Sequence, residues 1–378
     1  MKIGIVGAGL VGRILAWRLN QLNKGFKITL IDQHDRNFVG TGLIAAAMVA
    51  PYSEAVSTEA ITQELGAQSY QRWCKWLPEL EAQTGHSISF NQKGSVVVSH
   101  AQDDPDWQRF HIKAHAVIAQ DQMQSLDRKA LNDIEPELAQ GFSKGLYFPN
   151  EGVINNQALY PALNHYFDQA DNIKLIENTK IDNLESLNND YDLVFDCRGN
   201  GAKKDLSNFR SVRGEVARVY APEVHFSRAV RLIHPRFPLY IAPRENHEYI
   251  IGATQIESDS DAPVTVRSGL ELLSALYSLH QGFGEANILQ LLVGLRPSFT
   301  NNLPHITVNN DNNVISINGL YRHGYLFAPI LIDDLIQKIF GDENNIHFPQ
   351  FIATNTSGHY DSKKYDSASY YSANNGSK

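Results

Sequence analysis

Three glycines, Gly7, Gly9 and Gly12, stand between a short apolar run and a helix-spaced apolar stripe, and they constrain this chain more than any other feature. Residues 2–6 (KIGIV) read as a strand, and Leu10, Ile14, Leu15 and Leu19 then recur on one helical face. A G-x-G-x-x-G series between a strand and a helix is the setting in which that spacing signals a bound dinucleotide. Gly7 allows the tight turn, Gly9 lets the backbone approach a pyrophosphate, and Gly12 brings helix and strand into close packing. The anion then rests on the helix N-terminus, at Leu10 and Val11, where free N–H groups and the helix dipole favour negative charge. Asp32 closes the next strand, 27–32, about 20 residues beyond the last glycine, where a carboxylate accepts from ribose hydroxyls. That carboxylate disfavours a 2′-phosphate and hence NADP. The motif leaves NAD and FAD open.

The remaining bounds are broad. A chain of 378 residues exceeds one ordinary hydrophobic core and points to two domains. A formal charge of -8 gives no general attraction to phosphate backbones, so nucleic acid is not an expected partner. Cys74 and Cys197 lie in no metal-ligand or redox spacing, so neither a metal site nor a disulfide framework is indicated. A reducing, cytoplasmic setting is expected. The apolar start is broken by glycines and followed by Arg13 and Arg18, unlike a secretory signal. No stretch reaches the roughly 18–20 apolar residues of a membrane span.

Along the chain, 57–84 carries helical apolar spacing, with Tyr70, Trp73 and Trp76 as a packing stripe. Strand patterns at 94–99, 213–220, 238–243 and 248–253 suggest an antiparallel sheet of hairpins. Between them come a helix at 156–169, a strand at 173–176 and a buried-looking strand at 192–196. A strand at 313–318 and a helix near 326–340 follow. The spacing therefore predicts an α/β domain interleaved with an antiparallel β domain. From 354 to 378 the chain is polar and rich in Ser, Asn, Asp and Tyr, and is expected to be a disordered tail.

Several separated motifs, in order, carry a resemblance: GLIAAAMVAPYSE (42–54), GLYFPNEGVINNQAL (145–159), DCRGNGA (196–202), VRGEV (212–216), HPRFPLYIAPR (234–244), GAT (252–254), GLRP (294–297) and GLYRHGYLFAP (319–329). Together they resemble FAD-dependent oxidases of the D-amino-acid oxidase type, and within these the glycine oxidases of thiamine biosynthesis. The resemblance spans about residues 1–340. It implies FAD, held by a Rossmann-like domain (1–85, 145–215 and 290–353), and a substrate domain (86–144 and 216–289) whose antiparallel sheet covers the flavin's reactive face. It places Arg296 on the substrate carboxylate and Tyr240 on the pocket wall. Arg322, with Gly319, Tyr321, His323, Gly324 and Tyr325, falls in the last flavin-contacting turn, and Ala46, Ala47, Met48, Gly199 and Gly294 are carried over as further flavin neighbours. Ala47 stands where such oxidases usually have glycine. Gln255, after GAT, replaces an apolar or acidic residue facing the substrate side chain.

An arginine fork fixes a carboxylate through two charge-assisted bonds, which is the positioning that hydride transfer to a flavin needs. His234, His305 and His323 are candidates for proton transfer because histidine titrates near neutrality. The implied activity is oxidation of glycine or another small amine, releasing an imine that hydrolyses, with dioxygen reduced to hydrogen peroxide. Alternatives are a dehydrogenase that passes electrons to a quinone or carrier, and a flavoprotein acting on a group borne by a partner, with the tail as docking element. A plain NAD enzyme leaves GLYRHG without a purpose. Relatives of this type are often homo-oligomers, which is carried over as an expectation.

Overall fold

The computed structural model describes residues 1–233, 239–309 and 311–355. His234 and residues 356–378 of the expected tail lie outside them, whereas Thr354 and Asn355, also expected in that tail, end a strand paired with Val308 and Asn309. The chain divides into two compact units: Met1–Gly42, Tyr160–Val212 and Leu295–Lys378 form the first, Leu43–Leu159 and Arg213–Gly294 the second.

The first unit is built on a seven-stranded sheet in the order Ile352–Asn355, His305–Asn309, Val314–Asn318, Leu193–Asp196, Lys2–Val6, Lys27–Ile31, Ile173–Ile176. The strand Lys2–Val6 is flanked in parallel on both sides, with Ile5 opposite both Leu30 and Phe195. Such a strand is covered on both faces, so its side chains are apolar throughout rather than alternating. Ile3 and Ile5 are wholly buried. Among the described residues, only the pair His305–Asn309 and Val314–Asn318 is antiparallel in this sheet. The helix Leu10–Gln21 packs on Gly324–Phe340, whose residues from Tyr325 to Leu335 are almost all buried.

The second unit contains the larger sheet, which runs Ile256–Glu257, Phe209–Tyr220, Glu248–Gly252, Leu239–Pro243, Ala229–Ile233, Ser95–Ser99, Lys144–Phe148, Gln124–Asp127, with Asn287–Phe299 also paired to Phe209–Tyr220. Ala229–Ile233, Leu239–Pro243 and Glu248–Gly252 are consecutive antiparallel neighbours, as expected, Glu248–Gly252 is also antiparallel to the more distant Phe209–Tyr220, and Ala229–Ile233 and Ser95–Ser99 run parallel. One face buries Val96, Val98, Val230, Leu232, Ile241 and Ile251 under the helix Val266–Leu279. The helix Ile61–Thr84 is continuous through Pro78 and ends at Gly85, whose left-handed φ of 71° caps it. Trp73 and Trp76 meet edge-on inside the protein, as a packing stripe should.

Residues 43–85 and 145–159 cluster with the second unit, whereas the sequence reading grouped them with the dinucleotide domain. A small third sheet explains the difference. Met48–Val49 and Phe90–Asn91 both pair with Gly152–Ile154, which ties three distant segments together.

Candidate functional site

In the first unit the glycine loop is shaped by contacts that only glycine permits. Gly7 has φ of 105°, and a Cβ there would strike the backbone of Cys197. One on Gly12 would collide with the carbonyl oxygen of Gly7. Gly9, in contrast, is exposed and has no atom within 4 Å of where a Cβ would stand. That is the open approach a pyrophosphate needs at the start of Leu10–Gln21, a helix with no side-chain cap at its N-terminus. Leu10 is buried and Val11 half-buried on the first turn. Asp32 is fixed by the same loop: its Oδ2 accepts from Ala8 N at 2.5 Å and its Oδ1 from His34 N at 2.9 Å. Arg13, only 3% exposed, donates from Nε to the Ala8 carbonyl at 2.6 Å and bonds Asn164 through Nη1. Sequence reasoning missed that role. A charged residue directly after the third glycine, on an otherwise apolar helix, was its only signal. These residues fit the adenosine–pyrophosphate half of FAD.

Arg296 is held from both sides. The preceding carbonyl, Leu295 O, accepts from Asn200 Nδ2 at 2.7 Å and Thr41 Oγ1 at 3.0 Å, and the following one, Pro297 O, accepts from Tyr321 N at 2.8 Å. Two peptide anchors leave the guanidinium little freedom at its root. Gly199 (φ 56°) and Gly319 (φ 77°) are joined by buried Asn318, which donates from Nδ2 to Gly199 O at 3.0 Å and accepts from Gly319 N at 2.8 Å. A Cβ on Gly319 would strike the Phe299 ring. Tyr321 itself has φ of 51°. Arg322 donates from Nε to His323 Nε2 at 3.3 Å, and Tyr325 Oη donates to Gly42 O at 2.8 Å. The turn 318–325 carries Gly319, Tyr321, Arg322, His323, Gly324 and Tyr325, and Asn318, Asn200 and Thr41 are polar anchors that sequence reasoning did not name.

The histidines are less promising as proton-transfer groups. His305 is 5% exposed and stacked on Phe299 at 3.8 Å, and burial pushes its pKa down to about 3. It stays neutral through the physiological range. His323 is buried, and its Nε2 already accepts from Arg322. Among the described residues no group of three or more His, Cys, Asp or Glu is placed to hold a metal.

In the second unit Ala46 and Ala47 are buried, and Ala47 has φ of 51°. A β-carbon is strained there and glycine is not, which accounts for glycine as the expected residue and leaves the alanine of this chain without a structural explanation. Met48 pairs with Val153. Tyr240 is opposite Gly252 and half-buried, and a Cβ on Gly252 would meet its hydroxyl at 2.7 Å, so the ring lies across that glycine. Gln255 is exposed just after buried Thr254, whose Oγ1 donates to Glu215 Oε2 at 2.9 Å. Gly294 is buried near the end of this unit's last segment.

Comparison with known proteins agrees with this geometry. A family model described as FAD dependent oxidoreductase matches residues 2–335. A Rhizobium etli protein named as a thiamine biosynthesis oxidoreductase, ThiO, is 34% identical over 343 residues, covering 91% of this chain and 98% of that one. A bifunctional ThiO/ThiG protein of Synechocystis is 25% identical, and the match covers 89% of this chain and 52% of that longer protein. Among solved structures, glycine oxidase from Geobacillus kaustophilus superposes with a TM-score of 0.78 at 21% identity, covering 94% of this chain and 98% of the other. Iminodiacetate oxidase from Chelativorans has a TM-score of 0.75 at 19% identity, covering 93% and 99%. A glycine cradle with its aspartate, a turn that anchors Arg296, and a family match across nearly the whole chain lead to one statement: the chain belongs to the FAD-dependent oxidoreductase family.

Proposed function

We propose that this protein oxidises the carbon–nitrogen bond of glycine or another small amino acid or secondary amine. The observation that carries the reading is Arg296, fixed through the carbonyls on either side of it within a chain 34% identical to a ThiO oxidoreductase. Its guanidinium binds the substrate carboxylate as a fork, which sets the α-carbon in one orientation. Orientation of this kind supplies a large part of the rate, because the reacting atoms need no further search. Tyr240 presents an aromatic wall with a polar tip, and Gln255 reads what the substrate carries beyond its α-carbon. Arg322, braced on His323, would supply positive charge to a flavin held at this turn. FAD, when bound, would supply the electron sink for the hydride, with dioxygen as the final oxidant, reduced to hydrogen peroxide. The amine enters uncharged and the imine leaves to hydrolyse, so no side chain is required as general base.

The test is anaerobic mixing of the purified yellow protein with glycine, sarcosine, iminodiacetate and other small amines. Bleaching of the visible flavin band by at least one of them is expected. A flavin that none of them bleaches refutes the reading. Peroxide formed per substrate consumed then separates dioxygen from a carrier as electron acceptor.

A further inference from the structure

The segment 43–48 of the second unit is gripped by its carbonyl oxygens. Asn156, wholly buried at the head of the helix Asn156–Gln169, donates from Nδ2 to Leu43 O at 3.1 Å and to Ala45 O at 2.8 Å. Arg244 donates from Nη2 to Ala46 O at 2.7 Å and to Asn156 Oδ1 at 3.4 Å. Its own backbone N–H closes a hairpin on Glu248 O at 2.7 Å, so the root of the side chain is fixed. Ile154 N takes the next carbonyl, Ala47 O, at 3.0 Å.

These peptides are trans, and a trans peptide points its N–H opposite its C=O. Drawing the carbonyls of Ala45 and Ala46 to one place therefore turns the amides of Ala46 and Ala47 to the other side. Both residues are 3% exposed, and neither amide has a hydrogen-bond partner among the described residues. Buried amides without partners are rare in proteins, and successive amides around a left-handed residue form a concavity that suits negative charge. A guanidinium on Ala46 O also draws electron density through that peptide and strengthens the Ala47 N–H as a donor.

We propose that Arg244 and Asn156 are positioning residues for the oxidation, acting through the segment 43–48 to keep the Ala46 and Ala47 amides presented and polarised as donors. The proposal rests on the flavin-dependent reading above. Neither residue touches substrate. Their effect reaches the reaction through the readiness of the bound flavin to be reduced.

The experiment compares wild-type holoenzyme with Arg244→Met, Arg244→Lys and the isosteric Asn156→Asp, which turns a donor into an acceptor against two carbonyls. Midpoint potential, visible spectrum, and kcat and KM are measured on each. Arg244→Met and Asn156→Asp should lower the potential, shift the flavin spectrum and cut kcat by about 10- to 100-fold with KM unchanged, as loss of a charge-assisted bond predicts. Arg244→Lys, which keeps charge and a donor, should recover part of each change. Folded, flavin-loaded variants with wild-type potential and kcat overturn the proposal while leaving the function intact. If Arg244→Met does not fold, Asn156→Asp decides by the same criteria. Wild-type protein that holds FAD yet is bleached by no amine refutes the functional reading instead, and the potentials of the variants still judge the positioning.

Discussion

The glycine cradle of the first unit and the segment 43–48 of the second both present backbone amides, and they do so by opposite means. In the cradle, three glycines within six positions of one another permit the close contacts, and the positive φ falls on a glycine, Gly7. In the segment it falls on an alanine, and side chains more than 100 positions away, those of Asn156 and Arg244, hold the peptide in place. Just beyond the segment, fully buried Glu151 accepts from Tyr52 N at 2.9 Å, Ser53 N at 2.6 Å and Ser53 Oγ at 2.8 Å. One region is specified by what its residues lack. The other is specified by distant partners that override local preference.

The sharpest way to break this comparison is Gly12→Ala. The added carbon meets the backbone oxygen of Gly7, which has no rotamer by which to withdraw. Loss of bound FAD and a destabilisation of about 3 kcal/mol are expected, read from flavin content and thermal unfolding. A stable yellow variant would mean that the cradle is not set by its backbone. Arg296→Met comes next. The protein should keep FAD while kcat/KM falls about 100- to 1000-fold, the usual consequence of removing one partner of a buried charge pair. Equal loss of flavin would show that anchoring at Leu295 and Pro297 serves the fold rather than the substrate.

Acid should act on the first unit through His305. Its folded pKa of about 3 lies below the ordinary value of 6.5, so between those limits the unfolded chain binds a proton that the native protein refuses. The contribution is complete above about pH 6.5 and is lost as pH falls toward 3, at up to about 1.4 kcal/mol per pH unit. His305→Phe, which keeps the stacking on Phe299, should flatten that part of the stability profile measured by denaturant titration. An unchanged acid slope would place the sensitivity elsewhere. The smallest effect belongs to Ala47→Gly. Relief of about 1 kcal/mol of left-handed strain, partly offset by glycine's chain entropy, should raise the melting temperature by about 1–2 °C. A fall would mean that the methyl group is packed to advantage.

Legibility in the sequence follows the same division. Residues 2–6, 156–169 and 173–176 are found as a strand, a helix and a strand at the expected positions, because apolar period and turn residues are local properties. The helix Val266–Leu279 was not anticipated. Leu272, Ala275, Leu276 and Leu279 do lie on one inward face at helical spacing, while Val266, Leu270 and Tyr277 are exposed off that stripe. In the site, glycine spacing and Asp32 were readable without a structure. Arg13, Thr41, Asn200, Asn318, Asn156 and Arg244 were not, since each works by donating to a carbonyl that side-chain patterns do not reveal. The unit boundary near residue 42 was missed for a related reason: the pairing of Met48–Val49 with Gly152–Ile154 is a contact across about 100 residues.

The order of strands in the first sheet also sets a timetable for synthesis. Lys2–Val6 leaves the ribosome first, yet its inner neighbour is Leu193–Asp196 and the sheet's far edge is Ile352–Asn355. The nascent nucleotide-binding half must therefore wait, with one strand edge unpaired, while most of the other half is made. Long-range parallel pairing of this kind is slow and open to aggregation, so yield in the cell depends on how well that edge is guarded during translation.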